Sequence, residues 1–537
     1  MGNDRLARAF ICWLVGLAPV PATAAAPEAH TATSATKPAV PRYRVYPLRN
    51  GACKIAGNHA FSGGNNAETY DYTLYVWLVL GGDKPILVDA GLNNVAEMNR
   101  GAAHVLREPI RQCPGESARA QLRRFGLKPE DIGHVLVTHM HFDHVDGLDD
   151  FPNAKVYIGR KEWGPWCDGR IMTEFNNNPQ WKARLVRVGD EEILPGIESF
   201  WVGGHTPGST AYRIHTAHGY AVLTGDTVSL LANIERDIPV GVADNRDECL
   251  AAMRKIRQKA NVILPSHDPD TPNRWPPLPA GTPRYTIRAI RVGECEVRDY
   301  ITFQDVDEVA GQKTKTYALY VWLIEGGPRP VLVETGPNPR YVQAFNRATA
   351  KYIPGGVKQK PEEDTLQALK RAGIDPLAIS HVIVTHAHGD HCDYYPAFVN
   401  ARFVINRREY EDSKDHLAGE VGRVLAARPE LLQLVGDEEV LPGIRTLPLG
   451  CHTPGSQGVL VQTRLGPAML TGDVVYRYEN IEQDRPSRSS TPEVCRESMR
   501  RIRSLADIVL PAHDPETLVR WPDGVIGHPP PPCGDAK

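Results

Sequence analysis

Three absences narrow this chain of 537 residues before anything in it is read. It carries no surplus of one charge. The formal net charge is -3 with both signs interspersed, so there is neither a basic track for nucleic acid nor a cationic face for an anionic membrane. Its ten cysteines contain no CxxC pair, which argues against a structural zinc knuckle. Beyond residue 25 no apolar run is long enough to cross a bilayer.

The first residues form the exception. Arg5 and Arg8 precede an apolar stretch from Ala9 to Val20, and small residues follow at Ala22 to Ala26. A basic start, an apolar middle and a small-residue cleavage site predict a signal peptide over residues 1–26. Residues 27–41 are a Pro/Ala/Thr linker with nothing to bury. The mature chain is therefore expected to be periplasmic or secreted, with no membrane association after cleavage. Cys12 leaves with the signal peptide, so an odd number of cysteines remains and at least one is unpaired. Cys53/Cys295 and Cys249/Cys495 occupy equivalent places in two halves of the chain and read as small core residues, not as a disulfide framework. Cys392 and Cys451 also read as packing residues.

What is present is a repeat. His139, His141, Asp143 and His144 lie within six residues, and His386, His388, Asp390 and His391 repeat them 247 positions later. The same offset separates His205 from His452 and Asp226 from Asp473, while His267 and His513 differ by 246. A complete set of metal-ligating side chains has been duplicated in order, which predicts two large domains. The first spans 42–276, a Pro-rich junction follows at 277–284, the second spans 285–530, and 531–537 is a tail.

Local patterns place these residues. Strands are expected from Tyr75 and Tyr320 into Gly-Gly turns, followed by their partners at Pro85 to Gly91 and Pro330 to Gly336. Helices are expected over Glu116 to Phe125 and Pro361 to Ala372, closed by Gly126 and Gly373. Apolar strands then run directly into His139 and His386, into Asp226 and Asp473, and into His267 and His513. Each candidate ligand thus lies just past the C-terminal end of a strand, where exit loops can converge on one sheet edge. His134 and His381 also repeat, but they begin buried strands and read as structural.

Five imidazoles and two carboxylates per half exceed the need of one tetrahedral ion and match two. Without thiolate the set suits Zn²⁺ or another divalent ion such as Fe, Mn or Co. A carboxylate between two such ions can bridge them, and a water held there ionises near neutral pH and becomes a nucleophile.

HxHxDH, the histidine of Gly203-Gly204-His205, the aspartate after Leu223-Thr224-Gly225 and the final strand-end His267 resemble the metallo-β-lactamase superfamily, over essentially the whole mature chain as two tandem copies. The resemblance implies an α/β fold, two αββα sandwiches, each with a dinuclear site at one edge. It implies that His139, His141 and His205 hold one metal, that Asp143, His144 and His267 hold the other, and that Asp226 bridges them. In the second half the sets are His386, His388 and His452, then Asp390, His391 and His513, with Asp473 bridging.

Gly189 to Ile197 and Gly436 to Ile444, Asn233-Ile234-Glu235 and Asn480-Ile481-Glu482, and the His-Asp-Pro runs at His267 and His513 resemble the N-acyl homoserine lactonase branch. That branch carries a tyrosine three residues after the bridging aspartate, which polarises the lactone carbonyl. Tyr476 fills this position in the second half and Ser229 in the first, where the shorter hydroxyl cannot reach the same point. The second half departs elsewhere, with Tyr394 at the place of Gly147 and Glu334 at that of Asp89. The implied reaction is ring opening of a small-molecule lactone by a metal-bridging hydroxide, with Asp143 or Asp390 passing a proton to the departing oxygen. A β-lactam, an aryl ester or a phosphotriester is the alternative substrate, and one half as a non-catalytic binding module is the alternative architecture. Segments 93–115, 160–185, 338–360 and 407–430 are expected to build the pockets, with Trp163, Trp166 and Trp181 either lining an acyl channel or packing.

Overall fold

The computed structural model describes residues 40–527 apart from 280, 310–311, 341, 414–416, 418 and 490. The expected signal peptide, the linker up to residue 39 and the tail lie outside the described residues. The chain divides between Leu278 and Pro279 into two compact bodies, within the Pro-rich stretch. Among the described residues no helix is long and apolar enough to cross a membrane.

Each half stacks a seven-stranded sheet on a five-stranded one. In the first half the strand Thr69–Leu80 shows why two faces must be covered. Val76 and Leu78 pack into one apolar cluster, whereas Tyr75, Trp77 and Val79 pack into another. Strand His134–Val137 alternates in the same way, with Val135 and Val137 on one face and Leu136 on the other. Side chains with period two on a sheet buried on both sides require a layer above and a layer below. The outer layer includes helix Gly169–Asn177, which buries Ile171 and Phe175. The inner layer is the second sheet, whose Ile197, Tyr212, Ile214 and Leu223 face Leu136 and Trp77. Beyond that sheet, helix Arg246–Lys259 buries Cys249, Ala252, Met253 and Ile256, a spacing that puts one stripe on the sheet. The second half repeats this helix–sheet–sheet–helix order with its own three clusters.

Parallel strands in the middle of the large sheet bring their C-terminal ends to one edge. Ile86–Val88, His134–Val137, Lys155–Gly159 and Leu185–Val188 pair in parallel, as do Gly219–Leu223 and Val262–Leu264 in the smaller sheet. The edges of the large sheets differ between the halves. Arg44–Ala56 is flanked by Leu106–Arg111, but Thr286–Arg298 is flanked by Val525–Ile526.

Two expectations need adjustment. The helix expected over Glu116 to Phe125 is α-helical only over Ala118–Gln121 and tightens to a 3₁₀ turn at Leu122–Phe125, ending at Gly126 with φ 69°. The helix expected over Pro361 to Ala372 starts instead at Thr365, because the Asp364 side chain accepts from Leu366 N and Gln367 N and caps it there. A third expectation is wrong. Cys451 and Cys495 are not packing residues but a disulfide closing 44 positions. The equivalent places in the first half hold Gly204 and Cys249, and a Cβ on Gly204 would lie 2.6 Å from the Cys249 sulfur. The pair is thus built in both halves, and only the second has both thiols to join. Cys53, Cys167, Cys249, Cys295 and Cys392 are free.

Cys451 keeps the left-handed backbone of its glycine counterpart, φ 78° against 82° at Gly204, a conformation costing about 1–2 kcal/mol for a residue with a Cβ. Cys495→Ala is expected to destabilise the second half by about 2–4 kcal/mol. Adding Cys451→Gly should return about 1 kcal/mol of that. Calorimetry of the full chain checks both, and an unchanged second-half transition in Cys495→Ala would contradict the staple.

Candidate metal centres

His139 leaves strand His134–Val137, His205 follows Ile197–Trp201, Asp226 sits in the turn Gly225–Val228 after Gly219–Leu223, and His267 follows Val262–Leu264. Four strand ends from two sheets thereby deliver their side chains to one place. His139, His141 and His205 form one cluster and Asp143, His144 and His267 another. In the second half His386, His388, His452 and Asp473 cluster, and Asp390, His391 and His513 lie together.

Asp226 stands between its two sets with one oxygen turned to each. Its Oδ1 lies 3.3 Å from His144 Nε2 and 2.9 Å from His267 Nε2, while Oδ2 lies 3.6 Å from His205 Nε2. Asp473 does the same, Oδ1 facing His391 and His513 at 3.3 and 3.0 Å and Oδ2 facing His386 and His452 at 3.7 and 3.4 Å. A carboxylate split between two nitrogen clusters is what a bridging ligand requires.

The donor set fits divalent ions. His205 Nε2 approaches His141 Nδ1 at 3.1 Å, and His386 Nε2 and His452 Nε2 each approach His388 Nδ1 at 3.0 Å. Ring nitrogens bonded at roughly 2.0–2.1 Å to one tetrahedral ion sit about 3.3 Å apart, close to these separations. His139 Nε2 is buried without a hydrogen-bond partner. Charge points the same way. Burial holds His139 and His386 well below the usual imidazole range, and neighbouring rings add to it. Burial would lower His144 and His391 as well. Asp143, Asp89 and Asp226 outweigh it around His144, and Asp390, Asp473 and Glu334 around His391, so both rings are held well above that range. Asp226 and Asp473 would be raised by burial, yet the histidines around them hold both well below the carboxylate range. Such a pocket demands positive charge, and divalent ions satisfy the demand without protonating the ligands.

The nitrogens turned away from the centre are anchored too. His139 Nδ1 meets Thr138 Oγ1 at 3.1 Å, and His267 Nδ1 and His513 Nδ1 meet the carbonyls of Thr73 and Ala318 at 3.2 and 3.1 Å. Here the halves diverge. Asp89 accepts from Thr138 N, Thr138 Oγ1 and His144 Nδ1, each at 2.8 Å. Glu334, one methylene longer, takes Thr385 N on both oxygens at 3.2 and 3.4 Å and stands 3.3 Å from His391 Nδ1. Both acids sit at positive φ, 60° and 64°. His205 Nδ1 contacts the Val242 carbonyl, whereas His452 Nδ1 lies 3.1 Å from the Tyr476 hydroxyl. Tyr476 is thus in touch with a histidine of the centre, and Ser229 at the corresponding place leaves that contact to the backbone. Tyr394 turns outward and bonds Asp364 at 2.8 Å, whereas Gly147 lies so close to the Ala90 carbonyl that a Cβ would come within 2.3 Å of its oxygen.

A cavity of about 250 Å³ opens beside His141 and His205, walled by Trp166, Pro207 and residues 241–244. Of the three tryptophans, Trp166 lines it, while Trp181 is buried against Phe175 at 5.0 Å between ring centroids and Trp163 packs on the same core. Segment 241–244 was not among the expected pocket builders. Sequence reading also missed Glu162 and Glu409, which are fully buried and raised by that burial. Their spacing, 247 positions, was the available signal.

Fold and clusters together define a metal-dependent hydrolase built twice. The model of the metallo-beta-lactamase superfamily matches residues 72–267 and 317–513. The chain belongs to this superfamily. An N-acyl homoserine lactonase from a Bacillus species is 30% identical over 205 residues, 37% of this chain and 82% of that protein. One from Bacillus thuringiensis is 29% identical over 211 residues, 38% of this chain and 84% of that protein. A solved N-acyl homoserine lactone hydrolase carrying the product N-hexanoyl-L-homoserine is 21% identical, with a TM-score of 0.39, and the match covers 45% of this chain and 98% of that one.

Shortening the acid in the second half should restore the tighter arrangement of the first. Glu334→Asp is expected to raise metal affinity there about tenfold, and Asp89→Ala to lower it in the first half by about ten- to a hundredfold. Competition with a chromogenic chelator reads both, and equal affinities before and after would show that these acids do not orient the rings.

Proposed function

We propose that the chain is an exported hydrolase that opens the ring of an N-acyl homoserine lactone, using two divalent ions, zinc first among them, in each half. The support is the two-sided placement of Asp226 and Asp473, together with the lactonases named among the relatives. His139, His141 and His205 would hold one ion and Asp143, His144 and His267 the other, with Asp226 shared. His386, His388 and His452, then Asp390, His391 and His513, would do so around Asp473. Bound there, the ions would supply Lewis-acid polarisation of the ester carbonyl and an ionised water as nucleophile.

The chain's own groups do the rest. His452 turns Nε2 to the centre, so Nδ1 keeps the proton and donates it to the Tyr476 oxygen. The phenol's own O–H then remains free to donate to an ester carbonyl. Burial holds that phenol well above its usual range, so it stays protonated. Asp390 is the more exposed carboxylate of its centre, 17% against 8% for Asp473, and Asp143 occupies the corresponding place in the first centre. They are therefore placed to return a proton to the departing ring oxygen. The products are a carboxylate and a free hydroxyl on one open molecule, with one water consumed. Trp166, Pro207 and Val242 give the first-half cavity an apolar wall suited to an acyl chain. Export is supported by the Cys451–Cys495 disulfide, which persists in oxidising compartments.

Acid release in a pH-stat from the zinc-loaded chain and a long-chain N-acyl homoserine lactone is the test. Turnover abolished by chelator is expected. No turnover with both centres loaded would reject the lactone and direct the assay to β-lactams, aryl esters and phosphotriesters. Asp226→Asn and Asp473→Asn, made separately, assign the activity, since a passive half loses metal without losing turnover. In the Asp226→Asn background, Tyr476→Phe is expected to cost about 10²-fold in kcat. For export, fractionation of expressing cells should find the chain outside the cytoplasm with its N-terminus cut near Ala26, and an uncut cytoplasmic chain would reject it.

A further inference from the structure

Two buried glutamates belong to none of the His/Asp clusters, yet each stands where the loops carrying those clusters meet. Glu162 Oε1 accepts from Met140 N at 2.9 Å, and Oε2 accepts from Thr206 Oγ1 at 2.7 Å and from Gly208 N at 3.0 Å. Met140 lies between His139 and His141, and Thr206 follows His205. A single carboxylate therefore ties a loop leaving the seven-stranded sheet to a loop leaving the five-stranded one. Glu409 repeats the tie, accepting from Ala387 N at 2.9 Å and from Thr453 Oγ1 at 2.6 Å. Ala387 lies between His386 and His388, and Thr453 follows His452.

The approach is close enough to require glycine. A Cβ on Gly208 would fall 2.0 Å from Glu162 N, and one on Gly455 would fall 2.1 Å from Glu409 N. Direction is fixed as well. A carboxylate only accepts, so the one hydroxyl proton of Thr206 goes to Glu162 and Thr206 Oγ1 must itself accept from Ser209 Oγ, 2.7 Å away. Ser209 Oγ in turn accepts from Thr206 N at 3.1 Å. Thr453 and Ser456 form the same chain at 2.6 and 2.9 Å. Charge-assisted bonds in a dry interior are strong and directional, which suits them to holding one loop at a set distance from another.

We propose that Glu162 and Glu409 are positioning residues that set how far His205 and His452 stand from the paired histidines of the HxH run, and thereby the geometry and affinity of the first metal in each half. The assignment rests on the grouping of ligands above and is independent of which ester is hydrolysed. In the first half a glutamine would keep the volume but turn an NH₂ group toward Met140 N–H or Gly208 N–H, opening one side of the tie.

The full chain carrying Asp473→Asn, which weakens the second centre, is loaded with Co²⁺ and followed by its ligand-field absorption and by chelator competition. Glu162→Gln is expected to shift the bands and weaken one ion of the first half at least tenfold. Thr206→Val, which removes the hydroxyl from the other end of the same bond, should act likewise, and Thr206→Ser should restore the parent spectrum. Should Glu162→Gln fail to fold, the Thr206→Val and Thr206→Ser pair decides alone. Parent-like bands and affinity in folded Glu162→Gln or Thr206→Val would overturn the assignment, as would Thr206→Ser behaving like Thr206→Val. A parent chain with a normal cobalt spectrum but no lactone turnover would reject the lactonase reading and leave this one standing.

Discussion

A carboxylate buried among ring nitrogens is the contact around which each half is organised. Asp226 and Asp473 are largely shielded from water and cannot be left uncompensated, and each turns its two oxygens to different histidine groups. To meet that requirement, strand ends from two sheets have to arrive within a few ångströms of one another. Much of the rest follows as support. The double-faced core fixes the strands, the outward ring nitrogens are hydrogen-bonded so that the inward ones keep their aim, and buried glutamates join the loops across the sheet boundary.

The halves solve the same problem with different parts. Around the third histidine, the first half uses a backbone carbonyl and the second a phenol, while the first half instead sets the Ser266 hydroxyl on Asp226 at 2.7 Å. Behind the fourth, the first half uses a short acid with three close bonds and the second a longer one with looser contacts. The disulfide compensates in part, fastening the very loop that carries His452 to the long helix Pro492–Leu505. A duplicated site has thus drifted in its supports while its ligand residues stayed the same.

The clustering of the fourteen candidate ligands was legible in the sequence because metal chemistry restricts residue type and strand ends restrict spacing. The sandwich was expected only through the resemblance that the ligand pattern carries, and the two-faced packing of Thr69–Leu80 and Thr314–Glu325 became visible in the structure. Other features depended on distance rather than pattern. Cysteine pairing cannot be deduced from spacing, so Cys451 and Cys495 read as core residues. Glu162 looked like any surface acid beside Trp163, since nothing local shows that Gly208 folds back onto it. The wall at 241–244 comes from a loop whose residues have no distinctive chemistry, and the early start of the helix at Thr365 turned on Asp364 preferring a cap to a helical turn.

The edge strands give the two halves different histories during synthesis. In the first, the strand flanking Arg44–Ala56 is Leu106–Arg111, and the large sheet is complete once Leu185–Val188 has been made. In the second, Glu294 bridges Lys358 but the Ile287–Arg288 end of Thr286–Arg298 is paired only by Val525–Ile526, the last strand described. During synthesis the first half can complete its large sheet before its smaller sheet is made, whereas the large sheet of the second is complete only after its smaller sheet has been made. The first half can thus build its two layers in turn, while the second has to hold its larger layer open until the smaller one is present.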